Sequence, residues 1–555
     1  MSKKRMALLL VIVMVLSVMA ACAPANETTT TAGSQSTTAT TKPAETTSAT
    51  SGDVEIIWDS HNISWKLKTE PVTFDCYIDY DWYALDTWGV DDVSKEITKR
   101  TGVSLNVTKA SDRNQLQVLL AADQLPEMVF TDNQVQRFFS PDFAYSFNEL
   151  IEEYCPEFMN LIDPVEIINN TQPDGNFYTL RSHYNSKAAW EDPRNLPSPG
   201  NPGFYIREDI MVKLGNPPLE SIEDLEAIYA MVKKDFPELI VYLPHPTWYS
   251  PFLEWFGLGT TKVLDSDGNL VHQVVTEQYK EWLMFMNRLQ RNGYLNVEAY
   301  AYQPEQFFQI VRGSADIFSG SYNMGLADDT NKNYWHANGI DAKLVPVMKA
   351  LTVNGENRFQ PIDAGIGWSS LIISKNNKNP ERAILYMEFL KSPEGDALTQ
   401  WGIEGKHYTL SSEGLLVRPE GFADITIQEH GIGPWYFMAS GLGEGVAVSS
   451  GKLTSPDYSS SVDLLQFRKP YFLRDPARAF TNPLPDSAEM AIESRMTDII
   501  DQSRVAIIGA ATEADALALY DQFQTDLKAT GIDQLNQYYT TAYAAAKARY
   551  EGVDG

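Results

Sequence analysis

The sequence predicts an α/β fold whose first strands lie parallel. Two local patterns and one global number point to it. The first pattern is the alternation Val72-Thr-Phe-Asp-Cys-Tyr-Ile-Asp-Tyr80, which sets Val72, Phe74, Cys76, Ile78 and Tyr80 on one face of a strand. The second is the succession of elements after it: a helical stretch near Asp91–Arg100, stopped by Thr101-Gly102, then a strand Val103–Val107, a helix Asn114–Ala122 and a strand Glu127–Thr131. Strands separated by crossover helices build parallel sheets. The number is the chain length of 555 residues, too long for one hydrophobic core. In open parallel sheets ligands sit beyond the carboxyl ends of the strands. Here those ends carry Asp81-Trp82-Tyr83 and Asp132-Asn133-Gln134. Such a rim of rings and carboxamides either binds a ligand or caps the core.

Later elements announce themselves by caps. Ser221-Ile-Glu-Asp224 resembles a capping box before Leu225, Ile228, Tyr229 and Val232. Asn379-Pro380 gives an N-cap and a first-turn proline. Thr512-Glu-Ala-Asp515 opens a helix that Gly531 closes. Asp-Gly within Val263–Leu270 predicts a hairpin turn. No tandem repeat is present, and helices dominate the end of the chain.

The N-terminus reads as an export and anchoring signal. Lys3, Lys4 and Arg5 precede an apolar run from Met6 to Ala21, interrupted by Ser17 and followed by Cys22. About sixteen apolar residues fall short of the roughly 20 that a spanning helix needs. They suit a secretory signal with small residues at the cleavage point. The cysteine directly after Ala20-Ala21 makes the segment resemble a bacterial lipoprotein signal, in which the cysteine becomes the lipid-bearing N-terminus. Met19 stands where leucine is usual, and an ordinary cleaved signal is the alternative. Residues 23–52 are mainly Thr, Ala, Ser, Gly, Pro and Glu without an aromatic residue. They bury too little apolar surface to offset ordering entropy. A flexible tether with a reach on the order of 30 Å is expected.

Composition narrows the function. The net charge of −29 becomes −32 when the three signal cations are removed. So acidic a body disfavours nucleic acid, anionic lipid surfaces and strongly anionic ligands, unless a local basic pocket exists. Besides Cys22 there are only Cys76 and Cys155, neither in a CxxC motif nor beside a histidine. Buried free thiols are expected, with a disulfide as the alternative for an exported chain. None of the seven histidines stands three or four residues from another, so no helix presents a histidine pair to a metal. Asp265, Asp267 and Asn269 begin like a calcium loop. Leu270 and Thr276 then replace its turn glycine and closing glutamate, which leaves a solvated turn. No nucleophile elbow, phosphate-binding loop or dinucleotide fingerprint occurs. Aromatic residues are plentiful beside polar loops: Trp248-Tyr249, Trp255-Phe256, Tyr322-Asn323, Tyr334-Trp335-His336, Trp368, Trp401 and Trp435-Tyr436-Phe437. A carbohydrate cleft, a peptide cleft and a plain core would all use this mixture.

Several stretches together resemble the extracellular solute-binding proteins of bacterial ABC importers, in the large lipoprotein branch of the family that includes maltose-binding proteins. They are Lys99–Val103, Ala122-Asp-Gln-Leu-Pro-Glu-Met-Val-Phe130, Ser146–Pro156, Asp174-Gly-Asn-Phe-Tyr178 and Tyr205-Ile-Arg-Glu-Asp-Ile-Met-Val-Lys-Leu-Gly215 in the first half. Asn379–Ala383, Ser392–Gly395, Gly402-Ile-Glu-Gly-Lys-His-Tyr408, Val505–Gly509 and Ala529–Ile532 complete the set in the second. The resemblance implies a two-lobe, periplasmic-binding-protein-like α/β fold with a hinge-linked cleft. It divides the chain into a signal (1–21), a lipidated Cys22 with its tether (22–52), an N-terminal lobe (53–195 plus 314–365) and a C-terminal lobe (196–313 plus 366–555). It places the return to the N-terminal lobe near Gly313–Tyr322 and another crossing near Gly365-Ile-Gly-Trp368. It implies a monomeric, non-enzymatic, membrane-anchored receptor facing outward, which captures oligosaccharides and delivers them to ABC permease subunits, with no cofactor, metal or nucleic acid. Carried over by position, the ligand-binding residues are Trp82, Asp132, Arg207, Trp248, Tyr322 and Trp368, with pairing to Glu208 or Asp209 near the hinge as the alternative for Arg207. A receptor for peptides or another nutrient is the first alternative, and a cell-surface glycoside hydrolase or lyase the second.

Overall fold

Two four-stranded sheets organise the chain in a computed structural model that describes residues 64–553, apart from 82, 185, 192–201, 247–249, 413–415, 420–426, 434, 436–437, 439–458 and 485. Residues 1–63, which include the signal, Cys22 and the tether, lie outside the described residues, as do Trp82 and Trp248. Among the described residues no helix is long and apolar enough to cross a membrane. The described residues form one compact unit.

The first sheet is built as the alternation predicts. Strand β1 (Val72–Ile78) runs parallel to β2 (Val103–Lys109) and β3 (Met128–Thr131), with Cys76 opposite Val107 on one side and Met128 on the other. Between β1 and β2 runs helix α1 (Asp92–Thr101), whose N-cap Asp91 accepts a hydrogen bond from Ser94 N at 2.7 Å. Gly102 ends it in the left-handed region at φ +73°, and a Cβ there would meet Thr69 O at 2.1 Å. Only glycine satisfies both conditions. Helix α2 (Asn114–Ala121) joins β2 to β3. The fourth strand, residues Ser370–Ile373, comes from far along the chain and pairs antiparallel with β3. The order is therefore 370–373, β3, β1, β2. Helices α3 (Phe147–Tyr154) and α4 (Pro164–Asn170) come after β3.

The second sheet takes β4 (Pro202–Arg207) and β5 (Ile240–Leu243). The predicted hairpin, β6 (Lys262–Leu264) with β7 (Leu270–His272), forms a sheet of its own. Strands β8 (Ile317–Asn323) and β9 (Leu344–Pro346) complete the second sheet in the order β5, β8, β4, β9. A short β10 (Ile362–Asp363) pairs parallel with Leu473–Arg474, and the chain then enters β11, the strand Ser370–Ile373 of the first sheet. The capping box forms at Ser221 on the helix Ile222–Asp235, and the helices Pro380–Lys391 and Glu513–Thr530 start at their predicted caps.

The cores define two lobes. Residues from Trp65 to Leu180 and from Leu371 to Met438 pack into two apolar clusters, and residues from Phe204 to Phe359 and from Leu464 to Ala546 into two others. This corrects the expected boundaries. The stretch 314–365 does not return to the first lobe, because β8 inserts between β5 and β4 with Ile317, Phe318 and Tyr322 buried. The stretch 370–438 belongs to the first lobe, because β11 pairs with β3 and Ala383–Leu390 pack in its core. Pairing partners are non-local, so a strand's sequence does not say which sheet it joins.

Further contacts tie the lobes at the chain's end. Arg549 Nη2 donates to Ile168 O and Thr171 O, both at 2.7 Å, satisfying carbonyls at the end of α4. Tyr550 Oη donates to Asn169 Oδ1 at 2.7 Å. Cys76 and Cys155 are both free and buried, and burial pushes the Cys76 thiol up to about 12.

Within the first lobe Lys391 Nζ meets Glu166 Oε2 at 2.6 Å with both side chains fully buried. Breaking such a pair strands a charge. Lys391→Met is expected to cost roughly 3–5 kcal/mol in denaturant unfolding, and a loss below about 1 kcal/mol would mean that Glu166 is neutral in the folded chain.

Candidate functional site

The carboxyl ends of β1 and β3 bring a compact polar group together. Asp79, fully buried, comes directly after β1, and its Oδ2 accepts from Thr131 Oγ1 at 2.8 Å. Its other oxygen, Oδ1, has no partner among the described residues. Burial holds the Asp79 carboxyl above its usual range, against the pull of Thr131 and Arg113. Arg113, just before α2, lies across this end of the sheet. Its guanidinium sits 5.4 Å from the Tyr80 ring centre, pairs with Asp132 and reaches Asp79 Oδ2 at 3.7 Å. Asn133 closes the ring, with its N donating to Thr131 Oγ1 at 2.9 Å and its Nδ2 to Arg113 O at 3.0 Å.

Trp368 completes this group from the crossing between β10 and β11. Its ring is 39% exposed, unlike most large rings of the chain. Two neighbours brace it: Tyr80, edge-on at 5.7 Å, and His183 at 5.5 Å. Tyr80 is itself buried against Phe130 at 5.1 Å. The backbone explains why the ring stands out. Gly365 and Gly367 both adopt left-handed φ, +67° and +77°, and a Cβ on Gly367 would lie 2.1 Å from Ser182 O. The strand-like contact continues as Trp368 N donates to Ser182 O at 3.2 Å and Ser182 N to Ser369 O at 2.9 Å. His183 also has positive φ, +62°, with its Nδ1 2.9 Å from Ser182 Oγ. Strained residues of this kind cluster at ligand sites.

Of the residues expected to bind ligand, Asp132 and Trp368 fall in this group, both exposed. Arg207 does not. It is buried, pairs with Asp209 Oδ1 at 2.7 Å, donates to Ala315 O and stacks 5.4 Å from the Trp335 ring. Four hydrogen bonds, to Asp209, Ala315 and Ile317, commit its guanidinium to the second lobe itself. Tyr322 is fully buried between Tyr205 at 5.9 Å and Phe307 at 6.1 Å. It is core, since β8 is an inner strand and its alternation points Tyr322 inward. Trp82 and Trp248 lie outside the described residues. Sequence reasoning missed Asp79, Arg113, Tyr80 and His183 as partners. Asp79 and Tyr80 looked like the end of a strand. Nothing local distinguishes Arg113 from a surface cation.

A second polar cluster sits at the start of α1. Asp92, His407 and His430 are the one group among the described residues able to offer three metal ligands at close range. Asp92 Oδ2 lies 3.2 Å from His407 Nε2, 2.6 Å from His430 Nδ1 and 2.8 Å from Lys406 Nζ. The backbone decides the chemistry. Ile403 N–H donates into His407 Nδ1 at 2.9 Å, so the neutral ring carries its proton on Nε2 and gives it to Asp92. A metal at Nε2 would require a proton on Nδ1, facing the Ile403 donor. The geometry fits a hydrogen-bonded clamp that holds Lys406, His407 and His430 onto α1.

The whole arrangement can be set beside known proteins. No protein-family model matches the chain. It is 22% identical over 485 residues, 82% of this chain and 89% of the relative, to the polygalacturonan/rhamnogalacturonan-binding protein YtcQ of Bacillus subtilis. It is 20% identical over 373 residues, 60% of this chain and 69% of the relative, to lipoprotein LipO of the same organism. Two solved structures superpose over 86% of this chain. The alginate-binding protein AlgQ2 without calcium is matched over 98% of its length with TM-score 0.63 and 18% identity. The Streptococcus pneumoniae ABC-transporter substrate-binding protein FusA, solved with kestose, is matched over its full length with TM-score 0.64 and 17% identity. The chain has the two-lobe fold of the ABC-transporter solute-binding proteins.

In this solute-binding fold the histidine clamp makes stability pH-dependent. Burial, then the neighbouring His430, holds the His407 imidazole below its usual value. An unfolded histidine titrates near 6.5, so acid protonates the unfolded chain first. Stability from neutral His407 is complete above about pH 6.5 and is lost as pH falls below it. Burial alone would raise Asp92, but hydrogen bonds from Lys406, His430 and His407 outweigh it and hold the carboxyl at about 2. That contribution is present above about pH 4 and is lost toward about pH 2. His407→Gln is expected to flatten the melting-temperature profile between about pH 7 and pH 5, measured by calorimetry. His245 and His272, held at about 4 by burial, supply the dependence that remains. An unchanged slope would remove His407 from the account.

Proposed function

We propose that this protein is a lipid-anchored, outward-facing receptor that captures oligosaccharides between its lobes and hands them to the permease of an ABC importer, without catalysing a reaction. The observation that carries the reading is Trp368. An exposed indole braced by Tyr80 and His183, on the crossing between lobes, offers a flat apolar face, and the Tyr80 ring that it meets is also covered by Arg113, which pairs with Asp132. Sugar rings need that pair of features: C–H faces that stack, and hydroxyls that need acceptors and donors. The names of the relatives support the same class, since YtcQ is named for binding polysaccharides and FusA was solved with kestose. The proposed ligand residues are Trp368, Asp132, Arg113, Tyr80 and Asp79. Trp82 and Trp248 join them by sequence position, after β1 and β5. The anchor at Cys22 rests on the signal-like N-terminus and on similarity to a lipoprotein.

A glycan library read by binding and by product mass tests the class. Turnover to product would overturn the receptor reading, and tight binding only to peptides would overturn the sugar reading. Small-angle scattering with a saturating ligand should show a smaller radius, as hinge closure requires. For Trp368→Ala, calorimetric affinity should weaken by roughly 1–3 kcal/mol, the scale of stacking on one ring. Its melting temperature should fall less than for a fully buried tryptophan, because the ring is partly exposed. A large loss of melting temperature with normal binding would make Trp368 a packing residue.

A further inference from the structure

One cation of the first lobe has no counter-charge among the described residues. Arg181 stands opposite Ser370 in an antiparallel bridge, and Ser370 in β11 stands opposite Thr131 in β3. Directly opposed residues share a face of a sheet. Arg181 and Ser370 therefore continue the row of Asp79 and Thr131, whose side chains bond each other. That row lies at the carboxyl end of β1 and β3, where ligands of such sheets bind. Arg181 is also close to the exposed indole. A Cβ on Gly367 would sit 3.1 Å from the Arg181 Cβ, and Trp368 is the next residue. Farther along the same two segments, the His183 and Trp368 rings meet at 5.5 Å. From the second lobe, the Tyr550 phenol is near enough to act on the guanidinium. Arg181 thus lies where the lobes meet.

The residue is partly buried, and its Nε is enclosed without a hydrogen-bond partner among the described residues. Tyr550 is no counter-ion, since burial raises its phenol above the usual value and its hydroxyl donates to Asn169. The serine alongside is equally unmatched: Ser370 is fully buried and its Oγ has no partner among the described residues. Burial lowers the Arg181 guanidinium to about 10, so it stays charged at neutral pH. Buried cations are ordinarily paired, and one left without a partner costs stability. Other cations of this chain follow that pattern. Arg468 meets Glu254 at 2.7 Å and Lys391 meets Glu166 at 2.6 Å, all four buried. Arg181 departs from it beside the ligand-binding group.

We infer that Arg181, with the Ser370 hydroxyl beside it, receives a carboxylate of the ligand, so that the oligosaccharide is an acidic one containing uronate units. This rests on the oligosaccharide reading above and names its class. A guanidinium and a carboxylate match as two parallel hydrogen bonds. A carboxylate brings one negative charge to one cation. A phosphate monoester would bring more than Arg181 offsets, in a chain whose net charge is already −29. The carboxylates along the row do not oppose the pairing. Asp132 is held by Arg113. Asp79 is three strand spacings from Arg181, roughly 14 Å between backbones, and neither is among the charges that shift the other. The sugar's hydroxyls are left for the Asp79 and Asp132 end of the row, and its carboxylate for the Arg181 end.

Calorimetry of the full chain separates the two claims. The probes are acidic tetrasaccharides of galacturonate, guluronate, mannuronate and glucuronate, each beside the same sugar with its carboxyls reduced to alcohols. At least one uronate is expected to bind about tenfold more tightly than its reduced form, or better. That preference should shrink as salt rises from about 0.05 M to about 0.5 M. In Arg181→Met it should fall to within about twofold. The empty Arg181→Met protein should melt no lower than the parent, because an unpaired buried charge has been removed. Arg181→Lys keeps the charge and loses the fork, so it should keep only part of the preference. It supplies the answer where the methionine variant does not fold. Reduced sugars that bind as tightly as every uronate, or a preference unchanged in both variants, overturn the carboxylate site and leave the oligosaccharide reading standing. Capture of peptides, with binding to neither form of any sugar, overturns both.

Discussion

The close pass of residues 365–368 against 181–184 is the constraint on which the site depends. Gly367 lies so near Ser182 O that no side chain fits, and its left-handed φ turns the chain so that Trp368 faces outward. The same contact sets the register of β11, because Ser182 N bonds Ser369 O and β11 begins at the next residue. β11 in turn edges β3, whose carboxyl end carries Thr131, Asp132 and Asn133. One backbone contact thus places the ring, the sheet edge and the carboxylates relative to each other. Hydrogen bonds of this kind contribute only about 1 kcal/mol each. Their importance is geometric: they remove the freedom to place Trp368 elsewhere.

Electrostatics then divides the two polar clusters by role. Around Asp92 three side chains, Lys406, His407 and His430, converge on Oδ2, and the tautomer of His407 is fixed by a backbone N–H. Such a network is closed, and closed buried networks rigidify. Around Asp79 the network is looser, with Oδ1 lacking a hydrogen bond and Arg113, near Oδ2, nearly half exposed. Both clusters contain carboxylates and cations in similar numbers. The distinction lies in satisfaction and exposure, which composition does not reveal.

Much of the first sheet was legible because its signals are local. Alternation in 72–80, the cap at Asp91 and the stop at Gly102 each act within a few residues, and each element forms within two residues of its expected end. The buried state of Cys76 was legible too, from its place on the alternating face. What failed was long-range. The allocation of 314–365 and 370–438 depends on which sheet receives β8 and β11, and pairing between strands so far apart in the chain leaves no mark in either strand. Arg207 and Tyr322 were placed in the cleft by positional likeness. Asp209 two residues on takes up the first, and the inner position of β8 buries the second. The histidine clamp was invisible for the same reason, since Asp92 and His407 are 315 residues apart.

The links between lobes are unequal, and that inequality limits how one can move on the other. At the chain's end Arg549 gives two hydrogen bonds to carbonyls at the end of α4, and its guanidinium stacks 4.2 Å from the Phe480 ring. Charge-assisted bonds are worth about 1.5–3 kcal/mol each when shielded. Arg137 and Asp486 also approach across the lobes, at 3.7 Å, but their side chains are 40% and 87% exposed. A pair so exposed is worth between about 0 and 1 kcal/mol. A rotation whose axis passes near the end of α4 keeps the first set and breaks only the second. A rotation about any distant axis must break the Arg549 bonds and leave those carbonyls without donors. Of these two contacts, the one at the end of α4 is the costlier to break and the Arg137–Asp486 approach the cheaper.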